Sequence, residues 1–101
     1  MMSEIVTDNA GRRIQLRRIG VVEQMRLFKA LGPELSANAA YMHGALIGAA
    51  VAMIDDLPMP FPTNEAGLEA ALERIGLDAM PVVAKALEDE SDQQLVAAAG
   101  N

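Results

Sequence analysis

The chain has 101 residues, the size of one domain with a single modest core. About half of its residues are apolar and few are aromatic, which excludes a disordered chain and favours helices. Without cysteine, disulfides and thiolate metal sites are excluded. Residues 1–31 contain six basic and three acidic residues and carry a net charge of +3. Residues 32–101 contain two basic and eleven acidic residues and carry a net charge of −9.

The first predicted element is a β-hairpin over residues 4–19. Its turn is Asp8-Asn9-Ala10-Gly11, a run of turn-forming residues that ends in a glycine suited to a left-handed position. In the second strand Ile14 and Leu16 share one face. Because a two-stranded hairpin is marginally stable alone, we expect these two side chains to pack against helices. The opening residues lack a basic region and an apolar stretch, so we expect no signal peptide.

Four helices are predicted after the hairpin, at about residues 21–31, 36–54, 64–75 and 79–89. In the first, Val21, Met25 and Phe28 repeat at helical spacing, and we interpret this stripe as the side that faces the core. Gly32-Pro33 is predicted to end the first helix and Gly76 the third.

The predicted fold class is α+β and mostly helical, with an N-terminal β-hairpin packed on about four helices around a central apolar helix. Residues 1–90 are predicted to form one domain, and residues 91–101 a flexible C-terminal tail. The segment 55–62 is predicted to be an extended loop, because its prolines prevent helix formation.

The second predicted helix belongs to a charge-free run from Leu35 to Ile54. The run is long enough to span a bilayer, but it is rich in alanine, contains polar residues and is flanked by acids, so we expect no membrane insertion. One side is bulky and carries His43, which we interpret as a core or interface residue. The other side is small around Gly44 and Gly48, which predicts close packing on a neighbour. So small a domain barely encloses such a helix, which predicts self-association or a partner.

No pattern in the sequence predicts catalysis. Asp55 and Asp56 are consecutive and do not share a face, and no serine, histidine and acid are arranged for nucleophilic attack. No glycine-rich loop matches a phosphate-binding motif. His43 has no second histidine or cysteine to join it in a metal site. We therefore expect a protein that is not an enzyme and that needs no metal or cofactor.

The sequence RRIQLRR, residues 12–18, is the candidate for nucleic-acid binding. Four arginines on a β-ribbon could contact phosphates. However, no aromatic residue is interleaved for base stacking, and the acidic remainder of the chain repels a polyanion. A solvated strand face or a docking surface for an acidic partner is the other interpretation. A small nucleic-acid-binding or regulatory protein using this arginine-rich hairpin is the alternative function.

The order of these elements resembles the tail assembly chaperones of long-tailed bacteriophages. The resemblance extends over about residues 5–88, and its parts are VTDNAGRRIQLRRIG, VVEQMRLFKALG, AAYMHGALIGAAVAMI, DDLPMPFPT and EAGLEAALERIGLDAMPVVAKAL. One departure is Asp55-Asp56, where a tighter turn of the Asp-Gly type is expected.

The resemblance implies a phage or prophage protein of the bacterial host cytoplasm that is absent from the mature virion. Such a protein binds the tape measure protein and keeps it soluble until tail tube protein polymerises around it. We expect a homo-oligomer whose partners are these two proteins, without a membrane or nucleic acid. The predicted partner-binding residues are Tyr41, Met42, Leu46, Met53, Ile54, Met59 and Phe61.

Overall fold

The computed structural model describes the backbone of residues 4–99 and the side chains of residues 4–89. Over this range the chain forms four strands and three helices, so the predicted mostly helical α+β class is confirmed. In chain order the elements are β1 (Glu4–Thr7), β2 (Arg13–Leu16), α1 (Val21–Ser36), α2 (Ala39–Ala50), β3 (Val51–Ile54), β4 (Leu57–Pro58) and α3 (Glu65–Ala99).

The four strands form one antiparallel sheet in the order β1-β2-β3-β4. Ile14 in β2 lies between Val6 in β1 and Ile54 in β3, and it is fully buried. The hairpin is therefore half of a larger sheet. The register between β2 and β3 shifts at Leu16, which pairs with Val51.

The prediction that the apolar helix continues to Ile54 is wrong. The backbone changes from helix to strand at Val51 (φ −84°, ψ 118°) with no loop between. At this point the Arg17 N–H donates to the carbonyl oxygen of Ala50 at 2.8 Å. The Arg17 guanidinium donates to the carbonyl oxygens of Val51, at 3.0 Å, and of Met59. Hydrogen bonds to β2 and to Arg17 thus replace the hydrogen bonds that a continuing helix would form. The change from helix to strand is not visible in the sequence, because the run is apolar on all sides.

The segment 55–62, predicted to be an extended loop, includes strand β4. Asp55 and Asp56 form a two-residue turn between β3 and β4. Asp55 has a φ of 51°, a left-handed conformation that aspartate tolerates better than most residues. Its backbone N–H donates to the Arg13 carbonyl oxygen at 2.7 Å, and its carboxylate accepts from the Arg13 N–H at 2.9 Å. The two acids are therefore part of a hairpin turn.

The two longest helices each contain a glycine that interrupts the helical backbone. Gly32 in α1 has φ 85° and ψ 170°, and Gly76 in α3 has φ 68° and ψ −179°. A residue with a Cβ is strained at these angles, so glycine is required. Both interruptions lie at the predicted helix ends. The segment predicted to be a flexible tail continues α3 with helical backbone as far as Ala99, and residues 100 and 101 lie outside the described range.

Two clusters of buried side chains make up the core, and α2 contributes to both. The first lies between the sheet and α3, and includes Ile14, Ile47 and Val83. The second joins α1, α2 and the first part of α3, and includes Leu27, Ala45 and Leu68.

Helix α2 packs closely on α3 at Gly48. A Cβ at this position would lie 2.7 Å from Cδ1 of Leu68 and 3.2 Å from Cδ2 of Leu72. By contrast, a Cβ at Gly44 would meet no atom within 4 Å. A side chain at position 48 must therefore displace Leu68 and Leu72, whereas one at position 44 meets open space.

The hairpin turn is joined to the interruption in α3 by Asp8 and Arg12. The buried Asp8 carboxylate accepts from the Ala10 N–H at 3.0 Å and from the Arg12 N–H and Nε–H, each at 2.8 Å. The Arg12 guanidinium donates onward to the carbonyl oxygens of Arg74, at 2.9 Å, and Ile75, at 2.6 Å. These carbonyls immediately precede Gly76, where the helix is interrupted. We call this set of contacts the Asp8–Arg12 clamp.

Substitution of Gly44 and Gly48 should have opposite effects on stability. Gly44→Ala is expected to raise the free energy of unfolding by about 0.5–1 kcal/mol, because alanine favours a helix and meets open space. Gly48→Leu is expected to lower it by about 1–3 kcal/mol, because the side chain is forced against Leu68 and Leu72. Urea unfolding followed by circular dichroism measures both. Equal tolerance of the two substitutions would contradict the close packing.

The Asp8–Arg12 clamp should make stability depend on pH. Burial by itself raises the pKa of Asp8, but hydrogen bonds from the Arg12 backbone and side chain and from Ala10 outweigh burial and hold the pKa below its ordinary value. The stabilisation is therefore complete above the ordinary aspartate pKa of about 4 and is lost as the pH falls through the lower folded value.

Asp8→Asn is accordingly expected to lower the free energy of unfolding by about 1–3 kcal/mol at pH 7, since an amide cannot accept at both positions. The difference in free energy of unfolding between Asp8→Asn and the unsubstituted protein should become smaller below about pH 4. Asp56→Asn is the control, because it removes the same charge from an exposed side chain. The Asp56 Oδ1 lies 3.7 Å from Nη2 of Arg13, which is also exposed. Urea titrations at several pH values test this. A difference in free energy of unfolding that stays constant down to pH 2 would show that the Asp8 carboxylate does not stabilise the fold through the Asp8–Arg12 clamp.

Candidate functional site

The seven residues predicted to bind a partner do not form one exposed surface. Met42, Ile54 and Met59 are buried, and they belong to the two core clusters. These three side chains are therefore not exposed to a partner in this structure. The apolar run is divided between a helix and a strand, so residues that share one side of a continuous helix point into different parts of the core.

The other four predicted residues are partly buried. Tyr41, Leu46 and Phe61 pack against the cluster that joins α1, α2 and α3, whereas Met53 lies in the sheet opposite Gln15. The Tyr41 hydroxyl donates to a carboxylate oxygen of Glu69 at 3.4 Å. Burial, and then the negative charge of Glu69 and of Glu65, raises the pKa of Tyr41.

The arginines of residues 12–18 do not form one outward-facing cationic set. Arg12 belongs to the Asp8–Arg12 clamp, and Arg17 binds carbonyls at the end of α2. The Arg17 guanidinium also lies 5.7 Å from the centre of the Phe61 ring, and burial lowers its pKa. Arg13 and Arg18 are exposed. The feature that favoured nucleic-acid binding is thus reduced from four arginines to two.

His43, interpreted as a core or interface residue, is exposed on α2, so it does not belong to the core and the interface interpretation stays a prediction. Within residues 4–89 no group of three or more histidine and acidic side chains could hold a metal ion. In the same part of the chain no helix combines the length and the apolar character needed to cross a bilayer.

Among residues 4–89, the largest group of exposed large apolar side chains on one element lies on α1. It consists of Val21, Val22, Met25 and Phe28, and we call it the α1 face. Val21 is 77% exposed and Met25 is 59% exposed, although both were predicted to face the core.

Helix α1 is held in place by its other side. Leu27 and Leu31 are buried against α2 and α3, and both belong to the core. At 100° per residue, these two leucines lie well away from Val21 and Met25 around the helix. The sequence therefore has two apolar stripes on one helix. Periodicity detects both but does not tell which one is buried, and the presence of a second stripe was the signal available in the sequence.

Charged side chains border the α1 face on one side. Lys29 and Arg26 are exposed and lie next to Val22 around the helix, while the exposed Gln24 lies on the opposite border. The acid in the first turn, Glu23, accepts from the Gly20 N–H at 2.8 Å and so closes the start of the helix. Around the helix Lys29 lies between Met25 and Val22, and Arg26 lies beyond Val22, so the side of the α1 face that carries Val22 is basic and the side with Met25, Val21 and Phe28 is apolar.

A groove of about 280 Å³ lies between the proline-rich loop and α3. Met59 and Phe61, two of the predicted partner-binding residues, line it, and Arg74 contributes a charged side chain. Most of its lining is alanine, glycine and proline, so this groove offers few groups that could fix the orientation of a ligand.

Comparison with known proteins finds no protein family, no curated protein and no solved structure that matches this chain.

The two stripes of α1 should respond differently to the same substitution type. Met25→Ala is expected to change the free energy of unfolding by less than about 0.5 kcal/mol, because the side chain is exposed. Leu27→Ala should lower it by about 2–5 kcal/mol, because it leaves a cavity in the core. Urea unfolding of both variants measures the difference. A comparable loss in Met25→Ala would show that the α1 face is packed in solution.

Proposed function

We propose that this chain is a tail assembly chaperone of a long-tailed bacteriophage or prophage. In this proposal it acts in the cytoplasm of the bacterial host, binds the tape measure protein, and keeps that protein soluble until tail tube protein polymerises around it. It forms a homo-oligomer, contacts the tape measure and tube proteins, and is absent from the mature virion. The proposal is supported by the resemblance over residues 5–88 and by the α1 face.

The α1 face is the observation that carries this proposal. Val21, Val22, Met25 and Phe28 expose large apolar side chains over two turns of one helix. Contiguous exposed apolar surface marks sites of protein association. A helix that presents such a stripe can pack against the apolar stripe of another helix. A long, largely helical client offers many equivalent stripes of this kind.

Binding at the α1 face leaves the core closed. Met42, Ile54 and Met59 are buried and need not be uncovered, so the proposal places the binding surface on α1 and not on these residues. Methionine is flexible and polarisable, and Met25 can adapt to different sequences along a client helix. A holding function of this kind uses apolar contact and requires no ATP and no catalytic group.

An affinity pull-down from the protein's own host during phage induction tests this function. The tagged protein should recover the tape measure and tail tube proteins, identified by mass spectrometry. Phe28→Asp should reduce recovery of the tape measure protein at least about tenfold, because a charge replaces buried aromatic contact. Leu77→Asp is the matched control, since Leu77 is exposed on α3, and it should retain recovery.

Circular dichroism and urea unfolding must show that both variants fold as the unsubstituted protein does. Recovery of nucleic acid without tail proteins would favour the arginine-rich hairpin as the functional site. Equal recovery by Phe28→Asp and the unsubstituted protein would remove the α1 face as the binding surface.

A further inference from the structure

We infer that the segment that docks on the α1 face is an amphipathic helix whose apolar stripe is bordered by acidic side chains. This inference rests on the proposed function, and it specifies the chemistry of the partner at the same site. It comes from the charge distribution around the face, which is independent of the family resemblance.

The basic border is fixed by the helical positions of three residues. Around α1, Val22 lies between Lys29 and Arg26, and all three are exposed. The other members of the face lie on the opposite side of Lys29 from Val22, in the order Met25, Val21 and Phe28. A helix docked on this stripe therefore brings one of its own borders next to two cations.

Within residues 4–89, neither Arg26 nor Lys29 forms an ion pair with a carboxylate. Glu23 lies three residues before Arg26, about 60° from it around the helix, but its carboxylate accepts from the Gly20 N–H. Glu34 follows the interruption at Gly32, beyond the stripe. Charges this close to a docked helix lie within the screening distance of about 8–10 Å in physiological salt. A border of glutamate or aspartate on the partner is consequently favoured over a border of lysine.

A helix fits the dimensions of the face. Phe28 follows Val21 by seven residues, which corresponds to about 10 Å along the axis. This matches the apolar positions i, i+3, i+4 and i+7 of a docked amphipathic helix. The exposed α3 of a second copy is acidic at Glu65, Glu69 and Glu73, but Ala66 and Ala70 lie exposed beside them in place of large apolar residues. Over residues 65–75, α3 of a second copy thus supplies the charge without a stripe of large apolar residues, and the exposed Leu77 beyond Gly76 adds a single one.

Three synthetic helical peptides with one common apolar stripe test this inference. Their border positions carry glutamate, glutamine or lysine, and binding to the full-length protein is followed by fluorescence anisotropy. At 50 mM NaCl the glutamate peptide should bind about three- to tenfold more tightly than the glutamine peptide, and the lysine peptide more weakly than both. The preference should shrink at 300 mM NaCl.

Two variants separate charge from apolar contact. Arg26→Gln with Lys29→Gln should bind the glutamate and glutamine peptides with affinities within about twofold, while Phe28→Asp should lose both. Arg26 and Lys29 are exposed, but Phe28 is only 38% exposed, so circular dichroism and urea unfolding must show that both variants fold as the unsubstituted protein does. A glutamate preference that persists without Arg26 and Lys29 would overturn the inference, as would equal binding of the glutamate and lysine peptides.

Other occupants of the face give distinct results. Sedimentation in which Phe28→Asp converts an oligomer to a monomer would assign the face to a second copy and overturn the inference. Binding to vesicles of phosphatidylserine and phosphatidylcholine that Phe28→Asp abolishes would assign it to a membrane surface and overturn it equally.

The peptide assay and the pull-down can fail separately. Recovery of the tape measure protein without a glutamate preference would retain the proposed function and refute the acidic border. A glutamate preference without recovery of tail proteins would retain the acidic border and refute the chaperone assignment.

Discussion

The Asp8–Arg12 clamp is the contact on which the arrangement of the other elements depends. At Gly76 helix α3 stops and restarts, and the carbonyl oxygens just before the interruption accept hydrogen bonds from the Arg12 guanidinium. The buried Asp8 carboxylate holds that guanidinium in place and also orders the hairpin turn. Without Arg12, the buried Asp8 carboxylate loses the donor at its Oδ2. Without Asp8, the Arg12 guanidinium loses the acceptor that holds it in place. The sheet and both parts of α3 are thereby fixed relative to one another.

The sheet and α3, held together by the Asp8–Arg12 clamp, determine the position of α2, and α2 in turn determines the position of α1. With the sheet on one side and α3 on the other, α2 contributes to both core clusters and approaches α3 closely at Gly48. Helix α1 adds Leu27 and Leu31 to this core and leaves its second stripe outside. Folding and the proposed binding therefore use different residues of the same helix. A substitution in the α1 face can alter association without opening the core.

Local signals in the sequence predicted part of this fold. The turn around Gly11 and the helix interruptions at Gly32 and Gly76 are set by backbone conformations that glycine adopts most easily, so they are visible in the residues themselves. Strand β3 was missed because Val51–Ile54 pairs with β2, a contact far away in the chain. The α1 face was misassigned for a similar reason. Which of two apolar stripes is buried depends on where α2 lies, and periodicity carries no information about a neighbour.

The uneven charge of the chain acquires a meaning once the fold divides it between interior and surface. Two of the six basic residues before position 32, Arg12 and Arg17, are used inside the molecule, whereas Arg26 and Lys29 remain at the edge of the α1 face. The acids of α3 as far as Asp89 are exposed. In a chaperone that holds an apolar client, this separation has a physical use. Under the proposed function, the basic border orients an acidic client helix, and the net charge of −6 opposes non-specific association of free copies.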